Sequence, residues 1–398
     1  MSVSGLSVLV VEDHGFQRRM ALRLLAELDV GAVHEAADGL AALQLLERLP
    51  SPPDVVMVDL DMPGMDGIQF IGQVAERGFA RAVLLVSALD PALINTVQTM
   101  ARAYGLRVLG SVEKPLTRDK LLAALERADD GHALDEDVVH AEPPANAVHA
   151  ALVGGEIGPW FQPQVEFGNG RVVGVEALAR WHQPDGHVMR PAQFLPVVER
   201  EGLLDVMTDH MLLHACQWRR KWDRQGLRLK VSVNVSPATL VDPGAADRFQ
   251  HIVQSQGLEP QDIVLEVTES SVATDPAQSL GVLARLRLKG FGLSIDDFGT
   301  GYSSLAQLSQ VPFTELKIDQ GFVSGAHAQP RKRAVVEASL ELARKLSLNV
   351  VAEGVETVED WQMLADLGCG VAQGYLIAQA VPGGDLADTI AQWRRPGH

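Results

Sequence analysis

Cysteine is nearly absent from this 398-residue chain, which has only Cys216 and Cys369. Two thiols cannot build a disulfide framework or a four-cysteine zinc site, so both read as reduced core residues. Long hydrophobic runs are missing too. No stretch approaches the roughly 18 apolar residues of a spanning helix, and membrane insertion is not expected. The chain opens into a strand-like run at 6–11, without a basic segment followed by a long apolar one, so a cytoplasmic protein is expected. Positive charge is scarce: 34 Lys and Arg face 51 Asp and Glu, a formal net charge of −17. That balance opposes binding to duplex DNA, which needs clustered cations to neutralise phosphates. Lysine is the rarer cation, eight residues against 26 arginines, so a lysine at a strand end stands out. What is present is ordinary for a globular chain: 46% hydrophobic and 21% charged residues. Wholesale disorder is excluded, and the length predicts two or three domains.

The first 128 residues alternate short Val/Leu-rich runs at 6–11, 54–58, 82–86 and 106–112 with amphipathic stretches. One such stretch is Phe16 to Leu28, with Phe16, Met20 and Leu24 spaced by four and Ala21, Leu25 and Leu28 beside them. A five-fold βα alternation argues a doubly wound parallel sheet, whose functional groups gather beyond the carboxyl ends of the strands. Residues 129–149 are acidic, carry Pro143-Pro144 and no Lys or Arg, and read as a linker, with a helical turn at Leu134–Val139. Beyond it lie eight strand candidates: 160–167, 171–181, 229–235, 262–267, 292–297, 314–319, 349–353 and 370–377. Gly168-Asn169-Gly170 makes the first two an antiparallel hairpin. Helical segments separate the later ones; in Arg331–Leu346, Val335, Ala338, Leu342 and Leu346 form one face. This pattern predicts a (β/α)₈ barrel with one reversed strand, and domains at 1–128 and 150–398.

Glu12, Asp13 and Asp59 end strands of the first domain, and Lys114 ends the fifth. Carboxylates converging there repel unless a divalent cation shares them, and Mg²⁺ suits oxygen ligands. A carboxylate beside such a metal can accept a phosphoryl group, with Lys114 and the Ser87 hydroxyl supporting its oxygens. Singly, each residue has a plainer role: Asp13 as a helix cap, Lys114-Pro115 as a strand end, Ser87 as a loop cap. Together, Glu12-Asp13, the run Val58-Asp59-Leu60-Asp61-Met62-Pro63-Gly64-Met65-Asp66-Gly67, Ser87-Ala88 and Lys114-Pro115 closely resemble the receiver domain of two-component response regulators. The resemblance implies a flavodoxin-like fold, Asp59 as phosphoacceptor, Glu12, Asp13 and Asp59 around one Mg²⁺, and a sensor histidine kinase as donor. Ser111 stands where that family usually has Tyr or Phe, so the usual pairing of aromatic and hydroxyl cannot transmit the signal.

In the second domain Glu176, Asn234, Glu266, Asp296, Asp297, Lys317, Glu353 and Gln373 recur strand after strand. Polar groups at the carboxyl ends of barrel strands are where this fold places chemistry. An all-oxygen set suits Mg²⁺ or Mn²⁺, and two such ions bridge a phosphate and activate water. Lys317 then orients or deprotonates that water, its pKa lowered beside the cations. The plainer readings are loop caps for Asp296-Asp297, an exposed turn at Glu353-Gly354 and turn chemistry around Asn234. Glu176-Ala177-Leu178, with Phe161-Gln162-Pro163, Glu266-Val267-Thr268-Glu269, Asp296-Asp297-Phe298-Gly299-Thr300-Gly301-Tyr302, Leu316-Lys317-Ile318-Asp319 and Glu353-Gly354-Val355-Glu356, resembles the EAL-domain cyclic di-GMP phosphodiesterases.

That second resemblance implies a TIM-like barrel hydrolysing cyclic di-GMP to 5′-pGpG. Glu176, Asn234, Glu266, Asp296, Asp297 and Glu353 would ligate the two ions, Lys317 would contact the water, and Glu269 would hold the flexible loop. Gln162, Leu178, Arg180, Glu356 and Gln373 would contact substrate or support the site. Gln379 and Ala380 depart from a usual basic residue and proline, weakening one substrate contact. Both families use dimer contacts, so a homo-oligomer is expected. The alternative is a catalytically inactive module that binds cyclic di-GMP, but no ligand position is missing.

Overall fold

The computed structural model describes residues 5–87, 91–129, 142–268, 271, 276–299 and 311–396. The chain forms two compact units, divided at Val138 and Val139.

In the first unit five parallel strands form one sheet: β1 Ser7–Val11, β2 Ala32–Ala36, β3 Val55–Asp59, β4 Ala82–Ser87 and β5 Arg107–Glu113, in the order β2-β1-β3-β4-β5. Helices cover both faces, so the inner strands β1, β3 and β4 read as apolar runs. Along β1, Val8 and Val10 join one core layer while Leu9 and Val11 join the other. β2 gave no apolar run in the sequence because Ala32–Ala36 is an edge strand and only its last residue is buried. The helix Gly15–Glu27 buries Ala21, Leu24 and Leu25; Phe16 and Met20, expected on the same stripe, are exposed.

In the second unit β6 Ile157–Glu166, β7 Val172–His182, β9 Lys230–Asn234, β10 Ile263–Thr268, β11 Gly292–Phe298, β12 Glu315–Ile318, β13 Asn349–Ala352 and β14 Val371–Gln373 close into a barrel. Short β8 (Val188–Met189) and β15 (Val381–Pro382) add to β7 and β6. Only β6 runs antiparallel to its barrel neighbours. The hairpin behind that reversal turns at 168–170, where Gly170 is left-handed and Asn169 donates to the Glu166 carboxylate. The last strand is shorter than the expected 370–377. A Cβ on Gly374 would lie 2.3 Å from the backbone N and O of Val355, and beyond this close approach the chain leaves the sheet. The helix Pro330–Leu346 buries Val336, Ser339, Leu340 and Ala343, while Ala338 of the expected face is exposed and Leu342 and Leu346 are half-buried. Residues 145–149 of the acidic stretch belong to a helix, Ala145–Gly154, and the expected turn at 134–139 lies outside the described residues. No helix among the described residues is long and apolar enough to cross a membrane.

Alternation along the barrel strands decides what enters the barrel. Phe161 points outward, edge-on to Trp222 at 4.6 Å between centroids, so Gln162 and Trp160 on either side point inward. Likewise Val175 and Ala177 join the surrounding apolar core, and Glu176 between them faces the interior.

Candidate functional site

In the first unit, Glu12, Asp59, Ser87 and Lys114 end or follow β1, β3, β4 and β5 at one edge of the sheet. The Lys114 Nζ lies 2.7 Å from Asp59 Oδ2 and 2.9 Å from Glu12 Oε2. Carboxylate oxygens of Glu12, Asp13 and Asp59 lie within 4.8 Å of one another, close enough to share one ion. Burial pushes the Glu12 pKa up, aided by the Asp59 charge and against its bond from Lys114. Burial opposes the charge on Lys114, but its bonds to Asp59 and Glu12 prevail and raise its pKa. Asp13 is not the helix cap: His14 holds that position, without a side-chain bond. Ser87 is buried at the end of β4. Gly67 packs beneath the acceptor loop, where a Cβ would stand 2.3 Å from the Asp59 carbonyl oxygen. Ser111 is exposed on the edge strand β5.

In the barrel, Lys317 is the hub. Its Nζ lies 2.6 Å from Glu353 Oε1, 3.0 Å from Glu266 Oε2, 3.1 Å from Asp296 Oδ1 and 3.2 Å from Glu176 Oε2. Asn234 Nδ2 donates to Glu176 Oε1 at 3.1 Å, and Gln373 Nε2 donates to Glu176 Oε2 at 2.6 Å. A chain of amides locks this end: Gln373 also donates to Gln162, Gln162 to the Ala378 carbonyl, and Gln164 to Gln373. Gln164 was not singled out from the sequence, although its spacing of two from Gln162 puts it on the same inward face. The turn after Asn234 is built by Ser236, which donates to Asp205 and accepts the Thr239 N–H, leaving Asn234 to Glu176.

Asp297 adopts a left-handed backbone, φ 56°, which turns it away from strand geometry. Oxygens of Asp296, Asp297 and Glu353 lie within 4.8 Å of one another. Leu178 and Arg180 follow Glu176 at spacings of two, and Glu356 is exposed beyond β13. Glu269 lies outside the described residues.

Charge at the hub is unbalanced. Burial opposes protonation of Lys317, but Glu176, Glu266, Glu353 and Asp296 overcome it and raise its pKa well above the ordinary value. The expected lowering required neighbouring cations; carboxylates alone act the other way. Burial would raise the Glu176 carboxyl as well, yet Lys317 and Gln373 hold it below its usual range. Glu266 goes well up through burial and the Glu176 charge. Burial together with neighbouring acids pushes Glu353 to about 8 and Asp297 to about 6. Glu266 Oε1 is buried and, among the described residues, accepts no hydrogen bond. An orphaned carboxylate oxygen beside proton-holding carboxylates, all hard donors, fits divalent Mg²⁺ or Mn²⁺.

The chain matches the EAL domain family over residues 145–380 and the response regulator receiver domain family over residues 8–126. It is similar to cyclic di-GMP phosphodiesterase RocR of Pseudomonas aeruginosa, 37% identical over 96% of this chain and 97% of that one. Cyclic di-GMP phosphodiesterase NbdA of the same species is 37% identical over 59% of this chain but only 30% of its own length. Among solved structures, the MucR phosphodiesterase in complex with cyclic di-GMP matches with a TM-score of 0.58 and 39% identity, over 61% of this chain and 98% of that one.

Proposed function

Because the chain belongs to the EAL-domain family and carries a response regulator receiver domain ahead of it, we propose that it hydrolyses cyclic di-GMP to 5′-pGpG under control of Asp59 phosphorylation. The observation that carries the hydrolytic reading is the hub itself: a buried lysine ringed by Glu176, Glu266, Asp296 and Glu353, with an oxygen of Glu266 unpartnered among the described residues. Glu176, Asn234, Glu266, Asp296, Asp297 and Glu353 hold two divalent ions in this reading, and Glu12, Asp13 and Asp59 hold one in the receiver. Bound there, Mg²⁺ or Mn²⁺ supplies Lewis acidity, making water nucleophilic at neutral pH and offsetting phosphate charge.

The chain's own groups do the rest. Lys317, held at the centre of the carboxylate ring, is placed to hydrogen-bond the attacking water and orient it. Gln373 and Asn234 hold both oxygens of Glu176 in place, which fixes the water's approach. The water oxygen bonds to phosphorus as the P–O3′ bond breaks, and the water's proton ends on the 3′ oxygen. In the receiver, Lys114 bridges Asp59 and Glu12 and is placed to meet a phosphoryl oxygen on Asp59. A cytoplasmic sensor kinase is the donor, and the chain acts as a homo-oligomer. A binding-only module is disfavoured because every acid of the site and its lysine are present.

The test is turnover of cyclic di-GMP with Mg²⁺ or Mn²⁺, with and without acetyl phosphate, in wild type, Glu176→Ala and Asp59→Asn. Glu176→Ala should lose activity while remaining folded. Asp59→Asn should keep basal turnover and lose both labelling and the response to the phosphodonor. No pGpG from the wild type removes the enzymatic reading; equal rates with and without phosphodonor remove the coupling.

A further inference from the structure

Trp160 lies at the mouth of the barrel, one step above the catalytic level. β6 runs antiparallel to β7, with Gln162 opposite Glu176 and Trp160 opposite Leu178. Gln162 reaches the Glu176 network, so Trp160, two residues nearer the strand's start, projects inward above it. The residues of β7 on the same face, Leu178, Arg180 and His182, surround this indole. The Arg180 guanidinium carbon stands 6.0 Å from the ring centroid, and the indole N–H donates to His182 Nε2 at 2.6 Å. On the other side β15 pairs Pro382 with Trp160. The ring is thus held by its one polar atom and walled by strands, yet it remains partly exposed. The indole is half-buried but does not pack against the apolar core that surrounds the barrel, so core packing does not account for it.

We propose that Trp160 is a base-stacking residue for the dinucleotide, with His182 as the positioning residue that sets the plane of its ring. The inference rests on the phosphodiesterase reading above and adds which side chain receives a purine. The indole face offers a stacking surface, and the adjacent Arg180 offers paired donors that match the O6 and N7 acceptors of guanine. Stacking of this kind tolerates any base; the guanidinium beside it confers the preference for guanine. The segment Ala378–Pro382 runs alongside, so Gln379 and Ala380, which replace a usual basic residue and proline, lie next to this platform.

The experiment uses the full chain in four forms: wild type, Trp160→Phe, Trp160→Ala and His182→Ala. Steady-state turnover of cyclic di-GMP is measured alongside equilibrium titration with pGpG, followed by tryptophan emission. Trp160→Ala should raise both the KM for cyclic di-GMP and the Kd for pGpG on the order of tenfold, with kcat nearly unchanged. Trp160→Phe should restore most of the affinity, since a smaller ring still stacks, while abolishing the pGpG-dependent quench. His182→Ala should raise KM less and keep the quench. An unchanged KM in Trp160→Ala, a loss confined to kcat, or a quench that persists in Trp160→Phe overturns the assignment. Absence of turnover in the wild type removes the phosphodiesterase reading instead, while the pGpG quench still tests the platform separately.

Discussion

Lys317→Met removes the hub cation while keeping a stem of similar length, so the perturbation is electrical more than steric. Four carboxylates within 3.2 Å of the Lys317 Nζ lose their shared partner. Deleting one partner of a buried ion pair costs about 3–5 kcal/mol. Part of that is recovered here, because Glu266 is already pushed upward and Glu353 to about 8, so protonation offsets some of the lost charge. The net loss in a chelating buffer is therefore expected at about 2–4 kcal/mol. At roughly 2–4 °C per kcal/mol for a domain of this size, the barrel transition should fall by about 5–15 °C. Mn²⁺ should return most of the loss, since a divalent ion substitutes for the missing charge among oxygen ligands. The assay is calorimetric unfolding of both proteins at pH 7, in EDTA and in Mn²⁺. A barrel transition that does not move in EDTA, or that moves and gains nothing from Mn²⁺, refutes the reasoning.

Chelated wild-type protein should lose stability as the pH rises. Glu353 titrates at about 8 and Asp297 at about 6 in the native state, above ordinary unfolded carboxyls, so the native state holds more protons between those limits. Melting in EDTA at pH 5.5 and 8.5 checks this, and Glu353→Gln should flatten the fall; an identical slope in the variant counts against it. The opposite sign applies at Asp360. Its buried carboxylate accepts the Gly325 N–H at 2.9 Å, the His327 N–H at 3.2 Å and the Thr357 hydroxyl at 2.9 Å. Burial opposes the charge, but these bonds hold its pKa below the usual range, so its contribution exists above the unfolded value and is lost as pH falls through the folded one. Asp360→Ala should cost about 2–4 kcal/mol in urea unfolding at pH 7, narrowing in acid; a gap that widens in acid contradicts the network. In the receiver, Gly67→Ala should slow labelling by acetyl phosphate, because its Cβ would stand 2.7 Å from Leu60 Cα and force the acceptor loop to shift. Labelling at the wild-type rate refutes that close approach.

Much of the fold was legible because it depends on local pattern. Doubly buried strands such as Val55–Asp59 read as apolar runs, and Gly168-Asn169-Gly170 announced the reversal of β6. What the pattern missed has physical causes. β2 is an edge strand and needs no apolar run, and the helix faces at Phe16 and Ala338 were misjudged because amphipathic spacing leaves more than one stripe open. Of the candidate site, the acids and Lys317 were visible as polar residues at strand ends. Gln164 was missed, and Trp160 drew no notice, because a glutamine or tryptophan within a strand looks like ordinary core until its facing is known.

By itself, then, the amino-acid sequence determined the order of strands and helices, the residue types at each strand end and the scarcity of cations that makes Lys114 and Lys317 conspicuous. Only the tertiary structure decided which oxygen meets which proton. Glu176 and Lys317 are 141 residues apart and touch because barrel closure brings β7 and β12 to face one another across a shared interior. The direction of the Lys317 pKa followed the same rule: it depends on the charges gathered around the ammonium in space, and linear spacing carries no information about them.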